Sequence, residues 1–257
     1  MLRRKLILLA ALASLTGCSV VRKAKNGLAR FFENDESSHK VDIVDQGHGS
    51  GSVIHEDGYI LTNNHVAGDA GSKLRITIAE ADGKSADHDA VLVAAEPKYD
   101  LAVIKIDRKF EHPVVIAAPE EVEVGELVYK IGFPYDFGKT VTRGSIAKRH
   151  YDYAGDADES WKKIMLLDIG IGHGDSGSGI YSQATGKQVA VTMGYFGQGA
   201  RAGLFPRAVI PTEKIIAFLK EHGIPYHGAG AKKDKSWAVP ISYQNAAPSY
   251  VIGISKK

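Results

Sequence analysis

Short apolar runs separated by glycine, aspartate and asparagine dominate the chain from residue 49 onward. Residues 74–78 (Leu-Arg-Ile-Thr-Ile) alternate apolar and polar side chains, which is the period of a half-buried strand. Asp57-Gly58 and Asp82-Gly83 are typical hairpin turns, because glycine accepts the positive φ of a tight turn. This pattern predicts an all-β protein built from many short antiparallel strands.

One helix is predicted after the strands, over residues 212–221. Thr212 can cap its beginning, and Gly223 is placed to end it. Its apolar stripe consists of Ile215, Ile216 and Leu219. Beyond the helix, residues 237–241 and 250–254 are apolar and form either two extra strands or a packed tail, so the role of the extension 226–257 stays open.

The N-terminus has the pattern of an export signal. Three basic residues precede an apolar run from Leu6 to Leu15 that is too short to remain as a membrane-spanning helix. Residues 15–18 (Leu-Thr-Gly-Cys) resemble the lipobox of bacterial lipoproteins, in which a peptidase cuts before the cysteine that is then acylated. This resemblance implies a lipoprotein signal peptide over residues 1–17, lipidation at Cys18 and a lipidated tether over residues 18–40. An ordinary signal peptide with an incidental cysteine is the alternative.

The same analogy implies a location. A lipidated Cys18 anchors the protein in the cell envelope, and Ser19 after it indicates the outer membrane, facing the periplasm, where the cell has one. The membrane is then a partner through the lipid alone.

Composition argues against several other classes of protein. The formal net charge is +2 and no basic patch is evident, so we expect no nucleic-acid partner. Cys18 is the single cysteine, which excludes an intrachain disulfide. The nine histidines other than His65 lack paired metal-ligand spacing, so we expect no metal and no other cofactor.

Three residues are candidates for catalysis, although each is a weak signal by itself. His65 follows a predicted hairpin, a position where histidine is usually structural, and Asp100 opens the apolar run 101–106, where a carboxylate is often a turn residue. Ser176 lies in a Gly-Asp-Ser-Gly string that is also compatible with a flexible loop. Rival aspartates that do not head an apolar strand in this way are Asp82, Asp87 and Asp89.

Together, these strings resemble the trypsin-like serine proteases of the HtrA/Deg family over residues 47–220. The matching strings are Leu-Thr-Asn-Asn-His-Val after an Asp-Gly turn, Asp-Leu-Ala-Val, and Gly-Asp-Ser-Gly. The resemblance implies a catalytic triad of His65, Asp100 and Ser176, with the backbone N–H groups of Gly174 and Ser176 as oxyanion hole. The chain departs from the family at Asp175 and Ser178, where Deg proteases usually have asparagine and glycine.

The order His, Asp, Ser is that of chymotrypsin-type proteases. We therefore expect two antiparallel Greek-key β-barrels of chymotrypsin type with a short C-terminal helix. The protease domain is predicted over residues 41–225, with barrels at about 41–115 and 116–225. Too few residues follow for the PDZ domain that many family members carry, so none is expected.

The resemblance also indicates a substrate pocket. The residue six positions before the nucleophile forms the pocket floor in trypsin-like proteases, and here it is Gly170, which has no charge; Asp168 is the nearest acid. The wall is expected from Thr192, Met193 and Gly194, with Met193 partly filling the pocket. Because an unpaired ammonium is costly to bury, we expect cleavage after Val, Ala, Ile, Leu or Met rather than Lys or Arg.

The function predicted in this way is that of a serine endopeptidase acting on polypeptide substrates, such as envelope or misfolded proteins. Homo-oligomers are possible, since Deg proteases often form trimers. Two alternatives remain open: a catalytically weak binding or chaperone protein with the protease fold, and an esterase that uses the same triad.

Overall fold

A computed structural model describes residues 48–68, 74–79, 85–153, 159–194, 207–228 and 251–256. These residues all lie in one compact unit, Asp45–Lys257. The predicted signal peptide, Cys18, the tether and the apolar segment 237–241 lie outside the described residues. Within the described ranges, no helix combines the length and the apolar character needed to cross a membrane.

The described residues of this unit form twelve strands and two helices. The strands are β1 Gly49–His55, β2 Tyr59–Thr62, β3 Leu74–Ala79, β4 Ser85–Glu96, β5 Leu101–Lys105, β6 Leu127–Gly132, β7 Thr140–Tyr151, β8 Ile164–Asp168, β9 Gly179–Ser182, β10 Gln188–Gly194, β11 Arg207–Pro211 and β12 Val251–Lys256. The helices are α1 Asn64–Ala67 and α2 Thr212–Glu221, and short 3₁₀ turns cover Pro119–Glu121, Pro134–Asp136 and Glu159–Trp161.

The strands close into two antiparallel barrels of six strands each. The first has the neighbour order β1-β12-β3-β4-β5-β2, and the second has the order β10-β11-β8-β7-β6-β9. Helix α2 follows the last strand of the second barrel. The predicted all-β class, with two barrels and a short C-terminal helix, is confirmed.

The first barrel is closed by the end of the chain. Strand β12 pairs with β1 through Gly49 opposite Ile254, and with β3 through Ile76 opposite Ile254. The side chain of Ile254 is 2% exposed and belongs to the core of this barrel. A strand here is one of the two alternatives that the sequence left open, and it makes the first barrel a product of two distant parts of the chain.

Each barrel has its own apolar core, and a third cluster joins the barrels to each other and to α2. In α2, Ile215, Phe218 and Leu219 are completely buried in this joining cluster. The predicted cap was wrong: Pro211 occupies the N-cap position, and Thr212 is already the first helical residue. Its hydroxyl is therefore buried in the helix instead of accepting from the first turn, and it has no hydrogen-bond partner among the residues that the structure describes.

The two barrels are also joined by buried hydrogen bonds that start from β1. Oγ of Ser52 lies 3.1 Å from the hydroxyl of Tyr181 in β9. Two residues earlier in β1, the N–H of Ser50 donates to the carbonyl of Ser176 at 2.7 Å. This contact brings the predicted nucleophile segment of the second barrel to the edge of the first barrel.

Candidate active site

The structure brings His65 and Asp100 into direct contact. His65 lies in the one-turn helix α1 after β2, and Asp100 is the last residue of the turn before β5. Nδ1 of His65 is 3.0 and 2.9 Å from the two carboxylate oxygens of Asp100, and the N–H of His65 donates to Oδ1 at 3.1 Å. Because a carboxylate only accepts, the neutral ring carries its proton on Nδ1, which leaves the lone pair of Nε2 available.

The backbone of Asp100 is held in an unusual conformation by two neighbours of His65. Asp100 has φ 53°, a region that is uncommon for residues other than glycine. Its carbonyl accepts from the N–H of Asn64 at 3.2 Å and from Nδ2 of Asn63 at 3.0 Å. The buried side chain of Asn63 therefore fixes Asp100 relative to the His65 helix, a role that the Asn-Asn-His string did not reveal by itself.

Ser176 lies at the junction of the two barrels, next to the segment that leads to His65. Gly177 has φ 84°, and a Cβ atom there would collide with the carbonyl of Ser50 and the hydroxyl of Thr62. Only glycine therefore allows this close approach between the nucleophile loop and β1–β2. Within the described residues, no hydrogen bond joins Oγ of Ser176 to the His65 ring; such bonds often tighten only when substrate is bound.

The predicted oxyanion donors are oriented by a backbone contact. The carbonyl of His173 accepts from the N–H of Tyr135 at 2.9 Å. Because the peptide bond is planar and trans, the N–H of Gly174 points away from that carbonyl. Neither this N–H nor that of Ser176 donates to an acceptor among the described residues. Within the described part of the chain, two backbone donors of the same loop thus have no protein acceptor.

Lys130 and Asp175 form a buried ion pair beneath this loop, and both side chains are 1% exposed. Nζ of Lys130 also donates to the carbonyl of Gly170 at 3.0 Å, and Oδ2 of Asp175 accepts from the N–H of Gly172 at 2.8 Å. Burial lowers the pKa of Lys130, and the Asp175 carboxylate opposes this effect. The ion pair and its two hydrogen bonds to the backbone therefore hold the conformation of residues 170–175.

Lys130 is a functional residue of the candidate site that the motifs of the sequence do not indicate. The available signal was a lysine inside the apolar strand Leu-Val-Tyr-Lys-Ile-Gly, since a buried lysine needs a charged partner. The ion pair also explains why an aspartate occupies position 175, where related proteases usually have asparagine: its negative charge neutralises the buried Lys130.

The predicted pocket residues differ in burial and in their neighbours. Thr192 is buried, and its Oγ1 accepts from the hydroxyl of Ser178 at 2.9 Å, which ties β10 to the nucleophile loop. Met193 points to the other face of β10 and is 6% exposed within the core that joins the barrels. Gly170 and Gly194 both border open space. The pocket formed by these four residues stays a prediction.

One group of three side chains in the described ranges is placed to hold a metal ion. It consists of His55, Glu56 and His227, and no residue of the predicted triad belongs to it.

The comparisons with known proteins agree with this arrangement. The sequence profile of the trypsin-like peptidase domain matches residues 49–191, more than half of the chain. A probable periplasmic serine endoprotease of DegP-like type from Brucella suis is 40% identical over 133 residues, which are 50% of this chain and 24% of that protein. Its counterpart in Rhizobium meliloti is 35% identical over 195 residues, which are 69% of this chain and 37% of that protein.

A solved structure is similar as well. The HtrA-type protease AlgW with a decapeptide has a TM-score of 0.58 and 28% sequence identity, covering 68% of this chain and 51% of that one. The chain spans between 24% and 37% of the length of the two curated relatives described above. The sequence, the two barrels and these similarities lead to one conclusion: the chain belongs to the trypsin-like peptidase domain family, and its relatives are HtrA/DegP-like.

Proposed function

We propose that this protein is a serine endopeptidase of the cell envelope, with Ser176 as nucleophile, His65 as general base and Asp100 as the residue that orients the base. The observation that carries the proposal is the contact of both Asp100 carboxylate oxygens with Nδ1 of His65. This contact holds the ring in the tautomer that can accept a proton at Nε2.

The proposed reaction is acyl transfer in two stages. Oγ of Ser176 attacks the peptide carbonyl while Nε2 of His65 takes its proton, and the imidazolium then protonates the leaving amine. Water then hydrolyses the acyl-enzyme. Nε2 of His65 takes a proton from the attacking water and gives it to Oγ of Ser176 as the acyl bond breaks. Asp100 stabilises the imidazolium without being protonated itself.

The N–H groups of Gly174 and Ser176 are the proposed oxyanion hole. Their lack of acceptors among the described residues supports this role, because both are free to donate to a developing negative charge. One such donor typically contributes about a hundredfold to a thousandfold in rate.

Polypeptides are the proposed substrates, as for the relatives named serine endoproteases and the structure with a bound decapeptide. The pocket beside Gly170 is proposed to prefer Val, Ala, Ile, Leu or Met. Lys130 supports this preference, because its ammonium already contacts the Gly170 carbonyl and occupies the nearby Asp175 carboxylate. Thr192, Met193 and Gly194 are the proposed pocket wall, and Met193 also packs in the core that joins the barrels.

The envelope location rests on the lipobox resemblance and on relatives named periplasmic. We propose residues 1–17 as signal peptide, Cys18 as lipidation site and residues 18–40 as tether, with outer-membrane anchoring indicated by Ser19. A Cys18→Ser variant should be released from membranes or keep its signal peptide. Wild-type protein with an unmodified N-terminus at another residue would overturn this part.

A fluorophosphonate probe tests the central proposal. Purified wild-type protein should be labelled at Ser176 and should cleave casein, whereas Ser176→Ala should do neither while keeping its melting temperature. Ser178→Ala, two residues away, is the matched control for labelling, since its hydroxyl bonds to Thr192. Failure of the wild type to label would favour a non-catalytic binding protein, and cleavage of short esters without casein would favour an esterase.

A further inference from the structure

A second cluster of chemically active side chains lies at the turn between β1 and β2. Nε2 of His227 is 2.6 Å from Oε2 of Glu56, and Nε2 of His55 is 3.6 Å from the same oxygen. The three potential ligand atoms all lie within 4.8 Å of one another. Two imidazoles and one carboxylate therefore converge on one small volume, although 171 residues separate Glu56 from His227 along the chain.

The backbone holds all three residues in place. His55 ends β1, its carbonyl accepts from Gly58 at 3.2 Å, and the carbonyl of Glu56 accepts from Phe110 at 2.9 Å. The N–H of His227 donates to the carbonyl of Ile54 at 3.3 Å, and its carbonyl accepts from Ile116 at 2.8 Å. The cluster is thus fixed by backbone hydrogen bonds to three separate segments.

The side chains must reorient to bind a metal ion. The two imidazole rings are stacked, with centroids 5.5 Å apart and planes at 10°. A tetrahedral zinc site has ligand atoms about 3.3 Å apart and lone pairs directed at the metal, so the rings must turn. His55, Glu56 and His227 have side-chain exposures of 18%, 48% and 31%, which leave room for this rotation.

The charges around the cluster suit a cation. Glu56 supplies one carboxylate to the cluster, and a carboxylate oxygen is a common zinc ligand. Oδ2 of Asp57 lies 3.7 Å from Nδ1 of His55. When Nε2 of His55 binds the metal, Nδ1 carries the proton and can donate it to the Asp57 carboxylate, as is common for histidine ligands in zinc sites. The 3.2 Å hydrogen bond from the N–H of Asp57 to Nδ1 is then lost.

We propose that His55, Glu56 and His227 bind one Zn²⁺ ion. Two imidazole nitrogens and a carboxylate oxygen are ligands that zinc commonly takes, and the fourth position is left for water. The ion would connect the segment after α2 to the β1–β2 turn of the first barrel. The site is separate from the proposed triad, so its expected effect is on stability and does not depend on proteolysis.

The sequence led to the expectation of no metal because no two histidines have ligand spacing along the chain. Spacing along the chain does not decide the matter in the folded protein, because the N–H of His227 donates to the carbonyl of Ile54 and so brings the segment after α2 to β1.

Zinc binding to the full chain, purified without a polyhistidine tag and stripped by chelator, tests the proposal. Calorimetric titration with zinc chloride should show one ion per chain, and a hundredfold excess over Kd should raise Tm by about 5–10 °C. His227→Gln and Glu56→Gln should each weaken binding by about 100-fold or more, because losing even a hydrogen bond behind a ligand costs about 10–100-fold. His112→Gln is the matched control, a histidine of the same barrel next to Glu111 that lies outside the cluster.

Two results would overturn the zinc site. The first is a wild-type titration without saturable binding, and the second is binding that His227→Gln leaves unchanged or that His112→Gln weakens equally. Cobalt substitution of the wild type gives a readout that needs no variant. Intense visible bands of tetrahedral Co²⁺ support the site, and a spectrum identical to that of cobalt in buffer rejects it.

Discussion

Two buried carboxylates organise the candidate site, and each is satisfied in a different way. Asp100 is bound by the ring and the backbone of His65, whereas Asp175 is bound by the ammonium of Lys130 and the N–H of Gly172. Its second oxygen, Oδ1, has no hydrogen-bond partner among the described residues. The orientation of the loop before Ser176 therefore depends strongly on one lysine from β6.

Replacing that lysine should damage both stability and turnover. In Lys130→Met, Asp175 stays buried without its partner, which typically destabilises a protein by about 3–5 kcal/mol. Because the loop that carries the proposed oxyanion donors loosens, kcat should fall by about a hundredfold or more while KM changes less. Urea unfolding and peptide kinetics measure the two effects. Lys187→Met is the control, since its partner Glu121 is far more exposed than Asp175 and lies away from the loop. Equal losses in both variants would contradict this role.

Deprotonation of Lys130 should lower the activity at alkaline pH. Loss of hydration on burial lowers the pKa of Lys130 from its ordinary 10.5. The ion pair is intact at neutral pH and is lost as the pH rises through the lowered pKa. The pH profile of kcat should thus fall at a pH below the ordinary lysine value. Lys130→Met should lack this limb, and an unchanged alkaline limb in the variant would assign it to another group.

At the scale of elements, β12 has the largest consequence. It supplies the strand between β1 and β3, and β1 in turn holds Ser176 through the N–H of Ser50. Without β12, the inner edges of β1 and β3 would lose their hydrogen-bond partners, and unpaired edges are prone to aggregation. The last strand of the chain therefore supports the strand next to the nucleophile.

Truncation of a buried apolar side chain in β12 tests whether the first barrel depends on this strand. Ile254→Ala should lower the free energy of unfolding by about 2–5 kcal/mol, as buried isoleucine truncations do. Leu127→Ala is the matched control in a strand of the second barrel, because Leu127 is 57% exposed. Denaturant unfolding of both variants provides the comparison. An equal loss of unfolding free energy in the two variants would mean that Ile254 is not part of the core.

At the scale of the whole molecule, the two barrels act together through a shared apolar cluster and a few buried polar contacts. The contact between Ser52 and Tyr181 is completely buried, and burial raises the pKa of Tyr181 well above its usual range. The phenol therefore stays neutral and serves as a hydrogen-bonding group. Its partner lies in β1, the strand that also reaches Ser176.

A double-mutant cycle measures this contact between the barrels. Tyr181→Phe leaves the hydroxyl of Ser52 buried and unpaired, so it should cost about 1–3 kcal/mol in urea unfolding. Adding Ser52→Ala removes the unpaired group, so the double variant should lose less than the sum of the two single variants. Strictly additive losses would mean that the hydrogen bond contributes nothing to the junction of the barrels.

The sequence by itself determined the strand-rich fold and the order of its landmarks. Period-two alternation and Asp-Gly turns are local features, so the strands around residues 53–62 and 74–78 could be predicted without tertiary contacts. The family resemblance added two barrels and the candidate residues His65, Asp100 and Ser176. The structure brings His65 against Asp100, while the catalytic roles of all three stay predictions.

Tertiary structure alone decided what depends on residues far apart in the chain. The closure of the first barrel by β12, the burial of Lys130 with Asp175, and the meeting of His55 with His227 all join segments that no local pattern relates. The same is true of Met193, whose apolar side chain suited either a pocket or a core, and which the packing between the barrels places in the core. The physical reason is common to these cases: periodicity reports which face of a strand is buried, but not which distant partner covers it.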